Sequence, residues 1–223
     1  VVTGLGSICA LGPNTRQFWL QLAAGHSGIG ELSGFADGSL KINIGAQIPD
    51  FNPEQHFSRE LIPLLDRYSQ LALVAAKEAS DDAGLSERLL KSAAAVIGTG
   101  CGGKETDEQT YQRLYREGKK RAHTLTIPRG MPSAAASEVS MQLGIAGPVF
   151  SVSSACASAN HAIAQAAMLV RSGLVDVAIA GGTDAPFTHG LMKAWEAMRV
   201  LSNDTCRPFS ADRTGLVVGE GAG

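Results

Sequence analysis

The most constraining stretch of this chain is residues 149–182, VFSVSSACASANHAIAQAAMLVRSGLVDVAIAGG. A short apolar run leads to Cys156, a helix of small residues follows, and a second apolar run ends in Gly-Gly. Two buried strands joined through a buried helix can only be a β–α–β unit, with the thiol where the first strand turns into the helix. The first backbone N–H groups of a helix have no intrahelical partners, and their partial positive charge favours an anion nearby. Such an environment promotes the thiolate, the nucleophilic form of cysteine.

The rest of the chain alternates strand and helix signals with glycine punctuation, so a layered α/β architecture is expected. The opening VVTGLGSI reads as a strand from its first residue. Asn14, with Gln17 three residues on, starts a helix that ends at Gly25. In 26–65, IGAQI is a short strand, and PEQHFSREL a short helix capped by Asn52 with Pro53 at its first position. Asp66 caps a longer helix stopped by Gly84, and AAAVIG is a buried strand leading into TGCGG. Residues 104–118 read as an exposed polar helix, and 131–143 as a helix closed by Gly144. Strand 149–153, helix 157–171 and strand 175–180 complete the compact unit, the helix being apolar nearly all round. Beginning on a strand without an initiator methionine and ending on GEGAG, the sequence reads as a fragment, with core-facing surface expected at its ends.

Composition narrows the function. Among 223 residues, 44% are hydrophobic, and 19 basic residues against 21 acidic give a net charge of -2. That balance supplies no strong field for nucleic acid or an anionic membrane. No apolar run has the length of a membrane span, and the cysteines at 9, 101, 156 and 206 form no CxxC pair or zinc-like cluster. A soluble, reduced, cytoplasmic protein without a bound metal is expected.

Other candidates for chemistry are weaker. His161 lies five residues after Cys156, roughly 140° round the helix, and should not face the thiol. His26, His56, His123 and His189 carry no partner signature. TGCGG lacks the Gly-Lys-Ser/Thr ending of a nucleotide loop, so a tight turn bringing Cys101 close to another element is the better reading. Arg116, Lys119, Lys120, Arg121 and Arg129 read as a solvated helix end. In RPFSADRTGLVVGEGAG, Arg207, Asp212 and Arg213 should form local salt bridges, and a buried Glu220 would need a partner.

SSACASANHAI, followed by DVAIAGGTDA and RPFSADRTGLVVGEGAG, resembles the amino-terminal half of the β-ketoacyl-acyl carrier protein synthases. VVTGLGSICALGPN and DRYSQLALVAAKEASDDAGL are similar to the same family, so the resemblance covers residues 1–223. It implies the amino-terminal half of a thiolase-like αβαβα fold. It also implies transfer of an acyl chain from carrier-protein phosphopantetheine to Cys156, then decarboxylation of a malonyl thioester and carbon–carbon bond formation. No cofactor of the protein's own is implied, because phosphopantetheine belongs to the acyl carrier protein. The Cys156 N–H would be one oxyanion donor, and Cys101 falls where similar enzymes line the acyl pocket. The family's two histidines and lysine lie in its carboxy-terminal half, and none of the five histidines here matches them, so this chain alone should not condense. A homodimer pairing through 149–153 is implied. Basic docking residues that some relatives carry before the DR helix are replaced by RELIPLLD, so the resemblance does not carry that surface over. TDEQTYQRLYREGKKRAHTLTIPRGM and LMKAWEAMRVLSNDTCRPFS resemble the nodulation protein E subgroup. Polyketide ketosynthases usually show Asp-Thr-Ala-Cys-Ser-Ser where this chain has Ser153-Ser154-Ala155-Cys156-Ala157-Ser158, and thiolases place their nucleophile earlier. A non-catalytic chain-length subunit typically replaces the nucleophile, which Cys156 does not fit.

Overall fold

Ala94–Gly98 (β4) is buried at every position, and its small apolar side chains allow helices to cover both faces. The computed structural model describes residues 1–223 and sets β4 between two parallel neighbours, β5 (Val149–Val152) and β6 (Ala178–Asp184). β6 pairs antiparallel with β7 (Gly221–Ala222), and β7 with β1 (Ile8–Cys9), giving the order β1-β7-β6-β4-β5. A separate ribbon joins β2 (Gly30–Glu31) to β3 (Ile44–Gly45).

The period of two along β4 sorts its side chains between layers. Ala95 and Ile97 join the main core with helices α2 (Arg67–Asp82) and α6 (Ala134–Leu143). Val96 faces the opposite layer, against Ala162 and Ala166 of helix α7 (Ser158–Arg171). Fully buried Tyr68 locks α2 to α6, donating its hydroxyl to the Met131 carbonyl at 2.5 Å and accepting from the Ala135 N–H at 3.3 Å. Burial pushes its phenol up to about 12.

Capping expectations hold where the signal is local. Asn14 accepts from the Gln17 N–H at the start of α1 (Thr15–Ala23), Asn52 caps a 3-10 turn over Pro53–Gln55, and Asp66 caps α2. Gly84 and Gly144 adopt the left-handed conformation that ends helices. Other short helices are α3 (Glu87–Ser92), α5 (Thr126–Gly130) and α8 (His189–Ala197), none of which the sequence reading placed.

Several expectations are corrected. The opening run is not a strand before Ile8: the Leu5 and Ser7 N–H groups donate to Asp82 and Glu78 of α2, both at 2.9 Å, instead of a ladder. The helix at Pro53 stops after three residues, and a separate 3-10 turn covers Ile62–Leu64. The polar helix α4 spans Lys104–Tyr111 and passes into a π turn over Gln112–Arg116. α6 begins at 134 rather than 131, and β6 runs over 178–184 rather than 175–180. The expected β–α–β unit is present, and its crossover passes over β4, which lies between β5 and β6. α7 is not covered all round, since Ile163, Met168 and Val170 are exposed. Ile163 and Val170 line an apolar groove of about 510 Å³ that is also bounded by 1–6, α2 and β6.

Glu220, with a side chain wholly removed from solvent, is paired with a residue from far along the chain. Arg67 grips it with two hydrogen bonds, at 2.8 and 2.7 Å, and the Ile48 N–H adds a third at 2.9 Å. Phe51 lies beneath the guanidinium at 5.1 Å. Arg67→Met strands a buried carboxylate and should cost about 3–5 kcal/mol in urea unfolding. The double variant Arg67→Met/Glu220→Leu should recover most of that loss.

Asp66, 2% exposed, accepts from the N–H groups of Tyr68 at 3.2 Å and Thr106 at 2.8 Å. Burial outweighs these donors and pushes its carboxyl above the ordinary 3.8. A raised folded value means that its contribution is fully present below the unfolded value and is lost as pH rises through the folded one. Urea midpoints measured across the acid range should therefore fall less steeply with rising pH for Asp66→Asn than for the parent.

Candidate active site

Between β5 and α7 the chain makes a five-residue elbow, 153–157, with Cys156 exposed near its end. Ala155 takes φ 52°, a left-handed conformation that costs a non-glycine residue on the order of 1 kcal/mol. Buried Ser158 holds the bend from inside. Its Oγ accepts from the Ser154 N–H at 2.9 Å and donates to the Ala155 carbonyl at 2.6 Å, with the Thr99 carbonyl at 3.2 Å as the other acceptor. The Cys156 N–H has no acceptor within the chain and is free to receive an oxygen from outside. Thiol and free donor thus adjoin the electropositive start of α7.

The helix reaches this position because two strands lack side chains beneath it. A Cβ on Gly98 would lie 2.4 Å from the Ser158 carbonyl group, and one on Gly182 would lie 2.6 Å from the Ala159 Cβ. Neither gap admits a methyl group, so both glycines set the depth of α7.

Facing the elbow is the turn 99–103, organised by one carboxylate. Asp184, at the end of β6, accepts from the Thr99 hydroxyl at 2.9 Å and from the N–H groups of Gly100 at 3.0 Å and Cys101 at 2.9 Å. Thr99 Oγ1 in turn accepts from the Gly102 N–H at 3.0 Å. A Cβ on Gly100 would be 3.5 Å from both the Ala155 oxygen and Asp184 Oδ2, so the turn abuts the elbow. Cys101 is half-buried; burial chiefly, and then the Asp184 charge, pushes its thiol up. Asp184, Thr99 and Ser158 escaped the sequence reading. The available signal was an acid closing a strand of otherwise small residues, opposite a glycine-rich turn.

His161 does not bond Cys156, as its angle round the helix predicted; its Nδ1 lies 2.7 Å from Ser154 Oγ. His26 contacts Gln21, His56 stacks on Phe51, the His123 ring accepts from the Leu125 N–H, and the His189 N–H donates to Glu108. Arg116, Lys119, Lys120, Arg121 and Arg129 are not one helix end: the first four are exposed around 116–121, whereas Arg129 lies on α5, its guanidinium reaching the Leu65 carbonyl at 3.5 Å. Arg207 pairs with Asp204 at 2.5 Å and Asp212 at 3.6 Å, but Arg213 donates to the Ser210 carbonyl and joins no salt bridge. No three His, Cys, Asp or Glu side chains converge as metal ligands. No helix is long and apolar enough to cross a membrane.

The sequence profile of the β-ketoacyl synthase N-terminal domain matches residues 1–223. Nodulation protein E of Rhizobium sp. (strain N33) is 49% identical over the whole chain, and 3-oxoacyl-[acyl-carrier-protein] synthase 2 of Staphylococcus aureus is 35% identical. The chain spans 56% and 57% of those two proteins, about half their length. Among solved structures, the ishigamide ketosynthase/chain length factor superposes with a TM-score of 0.90 at 29% identity, covering 100% of this chain and 56% of that one. The fold is thus the amino-terminal half of the thiolase-like architecture, and this chain belongs to the β-ketoacyl synthase family, resembling nodulation protein E more than the staphylococcal synthase.

Proposed function

We propose that Cys156 is the acyl acceptor of a β-ketoacyl-acyl carrier protein synthase working in fatty acid or related lipid synthesis. The observation that carries this reading is an exposed thiol beside an unpartnered backbone N–H at a helix start, within a matched synthase domain. The Cys156 sulfur attacks the carbonyl carbon of a carrier-bound thioester, a new carbon–sulfur bond forms, and the old one breaks. Phosphopantetheine leaves as a thiolate and takes up a proton in place of the one Cys156 gave up, so the exchange is proton-neutral. One thioester replaces another, so little free energy changes, while the Cys156 N–H steadies the oxyanion between them.

Malonyl decarboxylation and carbon–carbon bond formation follow in the complete synthase. The family's two histidines and lysine for that stage match nothing in residues 1–223, and none of the five histidines here bonds Cys156. Acyl carrier protein is the partner that delivers both thioesters. Cys101 forms part of the acyl pocket wall. β5, an edge strand bonded on one side only and bearing exposed Phe150, offers the pairing edge of a homodimer.

Incubation with acyl-carrier thioesters followed by peptide mass mapping should place the acyl group on Cys156. Cys156→Ser should slow that transfer at least about a thousandfold. An adduct confined to another residue, or undiminished transfer in the serine variant, overturns the assignment. The 223-residue chain should release no carbon dioxide from malonyl thioesters, and measurable release would show that it holds the decarboxylating groups.

A further inference from the structure

Two thiols stand at this elbow, and only one can be the productive acceptor. Cys156 is exposed on the bend, whereas Cys101 is half-buried in the abutting turn. An acyl group on Cys101 would be attached to the wall of its own pocket. Resting on the reading above, we propose that Asp184 is a positioning residue that selects between the two thiols, fixing the 99–103 turn so that Cys101 stays an unreactive wall and Cys156 alone takes the acyl group.

The geometry is specific to a carboxylate. Asp184 receives three donors from three consecutive residues, and a carboxylate has the lone pairs to accept all of them. An asparagine would present its amide N–H₂ to at least one backbone N–H, donor against donor. The turn is also tied to the elbow, because Ser158 reaches the Thr99 carbonyl and the Ala155 carbonyl with one hydroxyl. Loosening the turn therefore disturbs the spacing of both thiols together.

Charge acts in the same direction. The charged and titratable groups that act on the Cys101 thiol are Asp184, Lys104 and Cys156. Burial chiefly, and then the Asp184 charge, push the Cys101 thiol up, and Lys104 opposes them. Lys104 is itself paired with Asp107 at 3.0 Å, which weakens that opposition. The thiolate is the nucleophile, so a thiol held protonated is a poor competitor at neutral pH.

The test is alkylation of the 223-residue chain with iodoacetamide across neutral to alkaline pH, resolved cysteine by cysteine by mass spectrometry, with Cys9 as an internal monitor of the fold. In the parent, Cys156 should react ahead of Cys101 throughout the neutral range. In Asp184→Asn, the Cys101 profile should move to lower pH and its rate at pH 8 should rise about threefold or more, with Cys9 unchanged. Asp184→Glu keeps the charge and should keep Cys101 slow. With an acyl thioester, the parent should carry the acyl group on Cys156 alone, and the asparagine variant should divide it between both thiols. Parent Cys101 reacting as fast as Cys156, an unmoved Cys101 profile in Asp184→Asn, or a rise shared equally by Cys9 each overturns the proposal. Should Asp184→Asn fail to fold, the parent's ranking and the glutamate variant decide. Absence of any acyl group on Cys156 in the parent instead overturns the proposed acyl acceptor, a result separable from the alkylation rates.

Discussion

Everything at the candidate site depends on how deeply α7 sits against the sheet. Gly98 and Gly182 leave no Cβ beneath its first turn, so the backbone of Ser158 and Ala159 rests directly on β4 and β6. At that depth the Ser158 hydroxyl reaches back to the elbow and across to Thr99. A methyl group in either gap would lift the helix, and Ser158 would lose the Ala155 carbonyl, the Thr99 carbonyl or both. The left-handed Ala155 is then sustained by packing and hydrogen bonding elsewhere, which is where such local strain persists in folded proteins.

The same elements link the two halves of the site. β6 supplies Gly182 under the helix and, two residues later, Asp184 over the glycine-rich turn. One strand thus fixes both the depth of α7, which the Cys156 elbow enters, and the turn that carries Cys101. Stability has a separate source, in the buried contact of Glu220 with Arg67 and in the α2–α6 core around Tyr68. Changes to that core can therefore be separated from changes in the chemistry.

Much of this was legible because the deciding forces are local. Asn14, Asp66, Gly84 and Gly144 announce helix ends through bonds or conformations spanning a few residues, and Cys156 is marked by the strand–turn–helix pattern itself. What escaped rests on distant partners. The hydroxyl of Thr99 meets Asp184 across 85 residues, and Arg67 meets Glu220 across 153. Strand order was hidden likewise, since neither apolar run flanking α7 says that β4 will lie between them. The opening run has strand composition, yet carboxylates on α2 capture its N–H groups first.

Glu78 has a consequence for the order in which the molecule assembles. Its two oxygens hold the N–H of Ser7 and the N–H of Thr15, so one side chain on α2 secures both the opening run and the start of α1. β1 closes on β7, more than two hundred residues later. During synthesis residues 1–23 therefore precede both partners. They stay exposed until α2 has formed and settle fully only when β7 arrives, a sequence of events dictated by long loop closure.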